Sequence, residues 1–241
     1  MRIVIDMQGA QTESRFRGIG RYTLSLAQAI ARDRGEHEVI LALNGLFPDP
    51  VEPIRAAFDG LLPQVNIRAW YAPGPVRGCE PGDEWRREVA ERIREAFLAS
   101  LRPDVVFIPS FFEGYQDDGV SSIGLFAPLT TIVAVDRLDR AQAEGASPDE
   151  TSFALRQREH LRRADALIAL PPLTVDEVSQ CLQVSQERIK SGLTVSDETD
   201  QRVANAEASN LLKLAEALTA APAPSIRPPL NWRPKLAYVS P

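Results

Sequence analysis

A loop rich in glycine and arginine, residues 9–20, lies between an apolar run at the N-terminus and a helical pattern. Backbone amides in such a loop, together with the positive end of the following helix, bind anionic or polyhydroxylated ligands. The loop and the start of the helix carry three guanidinium groups, which match phosphate in geometry, at Arg15, Arg17 and Arg21. The glycine spacing is neither a Walker nor a G-x-G-x-x-G pattern, so it gives little support to dinucleotide binding. Two plainer alternatives are that Gly18 and Gly20 only permit a tight turn and that the arginines form a solvated basic loop.

A carboxylate and two aromatic rings follow the most strongly predicted strand, 104–109. Glu113 comes directly after Phe111 and Phe112, at the end of the strand where ligands bind in α/β proteins. Glu113 is therefore a candidate catalytic group, and Phe112 is a candidate platform for the face of a sugar. The alternative is that the two phenylalanines are core or interface residues.

Asp136 and Asp139 follow another strongly apolar run and form a second candidate pair of carboxylates. Asp136 is a candidate for general acid or base chemistry. Arg137 stands between the two carboxylates and favours instead a loop closed by ion pairs. His37 begins a predicted strand and His160 lies inside a predicted helix, so we expect structural or exposed positions for both histidines.

The composition restricts the classes of function. The chain has 241 residues, 44% of them hydrophobic and 25% charged, which is typical of a globular protein with a substantial core. A formal charge of -6 without a block of like charge argues against nucleic acid as a partner. No stretch approaches about 18 consecutive apolar residues, and the N-terminal run is too short for a signal peptide, so we expect no transmembrane segment and a cytoplasmic location. Two distant cysteines and the lack of an Asp-x-Asp motif in a suitable loop predict neither a disulfide framework nor a metal site.

The elements that position these groups follow from the periodicity of the apolar residues. Short apolar runs typical of buried strands cover 2–7, 37–43, 66–70, 104–109, 130–135 and 166–170. Helical patterns lie between them at 22–32, 50–59, 80–101, 151–164 and 174–182. Apolar strands that alternate with helices predict an α/β fold, namely a Rossmann-like parallel sheet with helices on both faces. In such sheets, ligands bind at the carboxyl ends of the strands.

The predicted helix 80–101 alternates acidic and basic residues at i,i+3 and i,i+4 spacing. The charged positions are Glu84, Arg86, Arg87, Glu88, Glu91, Arg92, Arg94 and Glu95. An apolar residue recurs at every fourth position and gives the helix an amphipathic pattern, at Trp85, Val89, Ile93 and Phe97. We therefore expect the charged residues to form a solvated face.

The pattern changes after Gly192. Residues 193–200 are polar and turn-like, 202–218 form an isolated Ala/Leu-rich helix, and 220–234 are Pro-rich. Residues 235–240 look like the opening strand of a following domain. An isolated strand cannot pair its backbone, so we expect a longer parent chain. The predicted organisation is a domain at 1–195, a linker and appended helix at 196–219, and a second linker with the start of another domain at 220–241.

Four segments of the chain carry a family resemblance. The most specific, Gly18-Ile-Gly-Arg-Tyr22, opens a helix after the first strand. The others are Arg102-Pro-Asp-Val-Val-Phe-Ile-Pro109, Arg163-Ala-Asp-Ala-Leu-Ile-Ala169 and Glu187-Arg-Ile189. Together they resemble the acceptor-side half of GT-B glycosyltransferases of the retaining family-four type, especially bacterial polysaccharide and O-antigen mannosyltransferases. The resemblance covers about residues 1–195, and residues 202–218 resemble the helix that crosses back onto this half.

The resemblance implies that the chain supplies the acceptor side of a glycosyltransferase in bacterial surface polysaccharide assembly, at the inner face of the membrane. It implies transfer of mannose from a nucleotide sugar such as GDP-mannose, with no other cofactor, to a glycan or lipid-linked oligosaccharide. The donor-binding domain has no counterpart in this sequence and becomes an expected partner, so we expect the chain alone to be inactive. The implied substrate-binding residues are Gln8, Arg15, Gly18, Gly20, Arg21, Tyr22 and Phe112.

The sequence departs from the family pattern at two strand ends. Asp136-Arg-Leu-Asp139 stands where these enzymes usually carry His-Asp or Tyr-Asp, and Pro171-Pro-Leu-Thr174 stands where they commonly carry Ser-Glu and an aromatic residue. The usual polar groups are thus missing from both places. Two other hypotheses stay open: a non-catalytic carbohydrate-binding or scaffold module descended from such an enzyme, and an unrelated Rossmann-like nucleotide-binding protein.

Overall fold

The computed structural model describes residues 1–80, 82, 84–126, 128–138, 147–193 and 201–220. Its strands are β1 (Arg2–Asp6), β2 (Glu38–Asn44), β3 (Ile67–Trp70), β4 (Val105–Ile108), β5 (Thr131–Val135), β6 (Ala166–Ala169) and β7 (Ile189–Ser191). Its α-helices are α1 (Gly18–Asp33), α2 (Val51–Ala57), α3 (Glu84–Ser100), α4 (Pro148–Leu161), α5 (Val175–Leu182) and α6 (Gln201–Ala220). Asp139, the predicted strand 235–240 and all but the first residue of the predicted Pro-rich segment lie outside the described residues.

The described strands form one parallel sheet in the order β3-β2-β1-β4-β5-β6-β7. This order confirms the predicted α/β class and the Rossmann-like parallel sheet. It reverses where β1 pairs with β4, with Ile5 opposite Phe107. In doubly wound sheets, a crevice opens at this point, outside the carboxyl ends of the strands. The residues that follow β1 and β4 are therefore well placed to contact a ligand.

Alternate residues of each strand point to opposite faces of the sheet, and helices cover both faces. Ile3 and Ile5 pack in the core beneath α1, α2 and α6, whereas Val4 and Val106 pack beneath α3, α4 and α5. Because neither face meets solvent, the strands are apolar at nearly every position. This double burial is the reason that the sheet was predictable from short apolar runs.

Helix α6 packs along α1 and is held by polar contacts at both ends. Burial raises the pKa of Tyr22 well above its ordinary value, so the phenol stays protonated and donates to the buried Glu207 carboxylate of α6 at 3.3 Å. The amide of Leu193, just after β7, donates to the same carboxylate. Near the opposite end of α6, Nε2 of His37 lies 3.1 Å from Oε1 of Glu216. The appended helix is therefore an integral part of the fold.

Two helices begin before their predicted positions, and one strand has no counterpart in the prediction. Helix α1 begins at Gly18, four residues before the apolar pattern, because the glycine-rich segment forms its first turn. Helix α4 begins at Pro148, where Ser147 accepts a hydrogen bond from the amide of Glu150 and so caps a polar first turn. Strand β7 was not predicted, since only three residues pair with β6. In the part of the chain that the structure describes, no helix is long and apolar enough to cross a membrane.

The prediction that the charged residues of α3 form a solvated face is wrong for half of them. The four that are buried are Arg87, Glu91, Arg94 and Glu95. Two residues of the apolar pattern are exposed instead, Trp85 at 58% and Val89 at 38%. The inversion has a physical reason: α3 packs over the polar ends of the strands and their loops, which supply partners for buried charges. Sequence spacing alone does not reveal such partners.

Arg94 makes the most deeply buried of these contacts. Its Nη2 and Nε lie 2.5 and 2.9 Å from Oδ2 of Asp6, the last residue of β1. Its Nη1 donates to the carbonyl of Ser122 at 3.0 Å. Side-chain exposure is 1% for Arg94 and 3% for Asp6, so water screens the pair very little. The pair therefore fixes α3, the end of β1 and the segment near residue 122 to one another.

Replacing Arg94 with Met is expected to lower the free energy of unfolding by about 3–5 kcal/mol, because the Asp6 carboxylate stays buried without its cation. Urea denaturation measures the change. Arg92→Met is the matched control, since Arg92 is only half-buried on the same helix, and its cost is expected to stay below about 1 kcal/mol. Equal stabilities of the two variants would contradict the prediction.

His160 of α4 is buried, and its protonation makes the stability of the fold depend on pH. Its Nδ1 lies 3.2 Å from both the amide nitrogen and the carbonyl oxygen of Ile123. Burial lowers the pKa of His160 to about 4, and the charges of Arg156, Arg163 and Arg94 act in the same direction. The folded state therefore binds fewer protons than the unfolded state between that value and the ordinary pKa of 6.5.

Neutral His160 contributes stability that is complete above pH 6.5 and is lost progressively as the pH falls towards 4. Between pH 7 and pH 5, this group is expected to remove about 2 kcal/mol from the free energy of unfolding. His160→Gln should show a correspondingly shallower loss in chemical denaturation at the two pH values. An unchanged pH dependence in this variant would contradict a neutral buried histidine.

Candidate functional site

A cleft of about 470 Å³ opens at the carboxyl ends of β1, β4 and β5. Its walls are the turn Glu13–Phe16 after β1, the segment 112–117 after β4, residues 137–138 after β5 and the first half of α4. It is lined by Glu13, Ser14, Arg17, Phe112, Glu113, Gly114, Tyr115, Gln116, Asp117, Arg137, Leu138, Glu150, Phe153 and Ala154. We call it the Glu113 cleft.

Glu113 lies at the base of this cleft and joins two of its walls. Its Oε2 accepts hydrogen bonds from the hydroxyls of Thr12 and Ser14 at 2.9 and 3.0 Å, and its Oε1 accepts from Ser110 at 2.5 Å. The side chain is 4% exposed. Burial raises the pKa of Glu113, while the three hydroxyl donors oppose the shift. The carboxyl thus holds the loop after β1 against the loop after β4 and still borders the cleft.

Asp117 is the second carboxyl of the same turn. Burial raises the pKa of Asp117, although the amides of Gly114 and Gly119 donate to it. Gly114 has φ +93°, and a Cβ there would lie 2.0 Å from the carbonyl oxygen of Gly119. Only glycine fits this position, which brings Asp117 back beside Glu113. Two carboxyls with raised pKa values therefore face one cleft.

Aromatic rings form the rest of the cleft wall. The rings of Tyr115 and Phe153 lie 5.4 Å apart and are tilted by 53°. Phe112 borders the cleft, and the guanidinium of Arg137 lies 5.8 Å from its ring while it donates to its carbonyl. Phe111 and Phe112 are both buried in the core, and Phe112 also lines the cleft. The role of Phe112 as a platform for a sugar stays a prediction.

Several polar side chains of the cleft have no partner among the residues that the structure describes. The side chains of Glu13, Arg17 and Glu150 are exposed and make no hydrogen bond or ion pair with another described residue. Among the residues that the structure describes, no three His, Cys, Asp or Glu side chains are grouped to hold a metal ion.

The start of α1 reaches the cleft through Arg17. Arg17 is the N-cap residue of α1, and no side chain caps the first turn there. The first backbone amides of a helix have no intrahelical partner, and they carry partial positive charge. A Cβ on Gly20 would lie 2.2 Å from the carbonyl oxygen of Ser14, so the loop folds tightly back on the first turn of the helix. The glycines thus permit a tight turn, and the same turn leaves a helix N-terminus beside the cleft.

The other predicted substrate-binding residues occupy different surroundings. Gln8 is buried and bonds to Asp6, Asn44 and the backbone of Val120. Tyr22 is 4% exposed and faces α6.

The two predicted arginines lie nearer to the surface. Arg15 donates to the carbonyl of Gln11 and lies over the ring of Phe16, and Arg21 is exposed. Phe112 borders the cleft itself, and Gly18 and Gly20 belong to the first turn of α1. Their roles in binding stay predictions.

Of the two candidate catalytic residues, Glu113 lines the cleft. Asp136 follows β5 and is half-buried, and its neighbour Arg137 lines the cleft. Sequence reasoning missed Asp117, Tyr115, Glu150 and Phe153. The Gly114 turn was a possible signal for Asp117, but α4 is brought to the cleft only by tertiary packing. Pro171 and Pro172 are exposed after β6 and do not line the cleft.

Sequence comparison identifies relatives of this chain. A family model described as "Glycosyl transferase 4-like domain" matches residues 17–190. A "Serotype-specific mannosyltransferase WbdA" from Escherichia coli is 30% identical over 195 residues, covering 78% of this chain and 23% of that protein. A second Escherichia coli protein of the same description is 26% identical over 170 residues, covering 68% of this chain and 21% of the relative. The chain spans less than a quarter of the length of these curated relatives.

Structural comparison finds distant neighbours. Arabidopsis thaliana UGT89C1, solved in complex with UDP, aligns with a TM-score of 0.45 and 11% identity, covering 92% of this chain and 56% of that one. Glycyrrhiza uralensis UGT73P12, solved with glycyrrhetinic acid 3-O-monoglucuronide, aligns with a TM-score of 0.40 and 8% identity. This alignment covers 90% of this chain and 54% of that one.

Gly20→Ala is expected to destabilise the protein, although alanine is the better helix former. At an open helix position this change stabilises by about 0.5–1 kcal/mol. Here the new Cβ meets the backbone of Ser14 and Arg15, so a loss of about 1–3 kcal/mol is expected from thermal or urea unfolding. Ser25→Ala, at a half-buried position of the same helix, is the control and should change stability by less than about 1 kcal/mol. A stabilised Gly20→Ala chain would show that the loop does not pack this closely.

Proposed function

Because this chain belongs to the glycosyl transferase 4-like family, we propose that it supplies the acceptor-binding side of a nucleotide-sugar-dependent glycosyltransferase. Transfer of mannose in the assembly of a bacterial surface polysaccharide is the activity that fits its relatives' descriptions. The nucleotide sugar, such as GDP-mannose, is a co-substrate of the complete enzyme. The complete enzyme works in the cytoplasm, peripheral to the inner face of the membrane.

The observation that carries this proposal is the Glu113 cleft. It combines aromatic rings with polar groups that no described residue engages, and sugars are bound by this combination of apolar faces and hydrogen bonds. It lies at the carboxyl ends of the strands, where doubly wound sheets bind ligands. The acceptor is a glycan or a lipid-linked oligosaccharide that enters this cleft.

Each predicted residue takes a role that its surroundings support. Phe112 provides an apolar face within the cleft, and Arg17 with the first turn of α1 meets the phosphate-bearing side of the reaction. Glu113 is the first candidate for a catalytic or orienting carboxyl, and Asp136 is the second. Gln8 and Tyr22 hold the loop and helix that carry the binding groups, as their buried hydrogen bonds indicate.

The division of the chain follows the same proposal. Residues 1–195 form the acceptor-side domain, 196–219 form a linker and the crossing helix, and 220–241 lead towards a following domain. The donor-binding domain is a partner that this sequence does not contain. Nucleotide recognition and stabilisation of the leaving diphosphate are therefore supplied by another domain.

This chain by itself is expected to bind oligosaccharide acceptors without transferring sugar. Holding donor and acceptor in one reactive geometry is worth about 7–11 kcal/mol of the barrier, and half of a cleft cannot provide it. Calorimetry with mannose oligosaccharides and with GDP-mannose, followed by a radiolabelled transfer assay, measures both properties. Adding a donor-binding domain prepared from a full-length relative should raise transfer above background.

The possible outcomes separate the hypotheses. Clear turnover by the purified chain contradicts the half-enzyme proposal. Acceptor binding with no gain in transfer from the donor domain favours a carbohydrate-binding or scaffold module. The sequence supports that alternative too, because the polar groups usual in the family are absent at Asp136 and at Pro171-Pro172. Tight binding of the nucleotide without oligosaccharide binding favours a nucleotide-binding protein.

A further inference from the structure

We propose that the Glu113 cleft selects its acceptor by charge: it takes uncharged, hydroxyl-rich sugar units and excludes units that carry a carboxylate. This inference rests on the proposed function, which places an acceptor in this cleft. It concerns which chemical class of acceptor is admitted.

Among the described residues that line the cleft, carboxyl groups outnumber guanidinium groups. The described lining residues include four carboxyl groups, Glu13, Glu113, Asp117 and Glu150, and two guanidinium groups, Arg17 and Arg137. An anionic sugar unit in this space meets more like charges than opposite ones. Like charges brought together at a binding surface reduce affinity and suppress wrong partners.

The hydrogen-bonding capacity of the cleft points in the same direction. An ionised carboxylate only accepts hydrogen bonds. Glu13 and Glu150 are exposed and form no bond with another described residue, so their oxygens can accept hydrogen bonds from a ligand that displaces water. Sugar hydroxyls provide such donors, whereas a ligand carboxylate provides none at its charged atoms.

The two guanidinium groups compensate this imbalance only in part. Arg137 already donates to the carbonyl of Phe112 and lies beside its ring. Arg17 stands at the N-cap of α1, where the helix amides add positive charge. Positive potential is therefore concentrated at the α1 side of the cleft, and the carboxyls of Asp117 and Glu150 lie on other walls.

Glu113 is buried and Asp117 is half-buried beside the cleft, and an ionised carboxylate at such a position repels a ligand anion. Charges interact more strongly in such a poorly hydrated place than in water. The neighbouring Tyr115 and Phe153 rings offer apolar surface, which suits the C–H face of a neutral sugar.

The test compares matched neutral and anionic ligands on the full chain by calorimetry at low ionic strength. The probes are an α-linked mannose trisaccharide, a glucose trisaccharide and a mannuronate trisaccharide, which differs from the mannose probe by a carboxylate at C6 of each unit. At least one neutral probe is expected to bind about tenfold or more tightly than the mannuronate probe. Added salt should reduce this ratio, because it screens the carboxylates.

Glu13→Gln combined with Glu150→Gln removes two exposed negative charges from the cleft. The double variant is expected to reduce the neutral-to-anionic affinity ratio by about threefold or more, chiefly by strengthening mannuronate binding. Asp149→Asn is the matched control, because Asp149 is exposed beside Glu150 on α4 but does not line the cleft. This control should leave the ratio unchanged.

Three results overturn the inference. Mannuronate binding that equals or exceeds neutral binding contradicts charge selection while it leaves the acceptor-side function standing. An affinity ratio that the double variant does not change shows that the cleft carboxyls are not its cause. Failure of every oligosaccharide to bind contradicts the proposed function itself, and the inference falls with it.

Discussion

The buried pair of Asp6 and Arg94 is the contact on which the edge of the sheet that carries the Glu113 cleft depends. It joins the last residue of the central strand β1 to α3 at the point where the strand order reverses. Gln8 bonds to the same aspartate and extends the network to Asn44 at the end of β2 and to Val120. An ion pair of this kind contributes little net stability against an apolar alternative, but breaking it is costly. Its role is to fix the loops that follow β1, β2 and β4 in one arrangement.

Glu113 also joins loops to one another, and it does so at the cleft itself. Thr12 and Ser14 after β1 and Ser110 after β4 all donate to its carboxyl, so the two loops that flank the crevice are joined by hydrogen bonds. Burying a carboxyl is unfavourable unless donors compensate for lost water, and three hydroxyls do so here. The same arrangement places an acidic group at the cleft, so the stability of the loops and the electrostatics of the cleft are linked.

Helix α6 extends this arrangement to residues 201–220, the last described segment of the chain. The glycine-rich first turn of α1 borders the cleft, while Tyr22 one turn later bonds to Glu207 of α6. Glu207 also accepts from Leu193, at the end of the sheet. The helix that presents Arg17 to the cleft is thus clamped between the sheet and the appended helix. The family match covers residues 17–190. It therefore includes α1 and most of the sheet but not α6.

The amino-acid sequence by itself determined the α/β class, the central strands and the family, because apolar runs buried on both faces and the Gly18-Ile-Gly-Arg-Tyr22 segment are local features. It also placed Glu113 and Phe112 at a strand end. Tertiary structure decided which charges of α3 are buried, since Arg94 reaches an aspartate 88 residues away. It also decided that Phe111 and Phe112 both pack in the core, with Phe112 also at the cleft, and that Glu150 and Phe153 of α4 line the cleft. Local periodicity reports which residues avoid water, but the partner of a buried charge depends on distant segments that only the folded chain brings together.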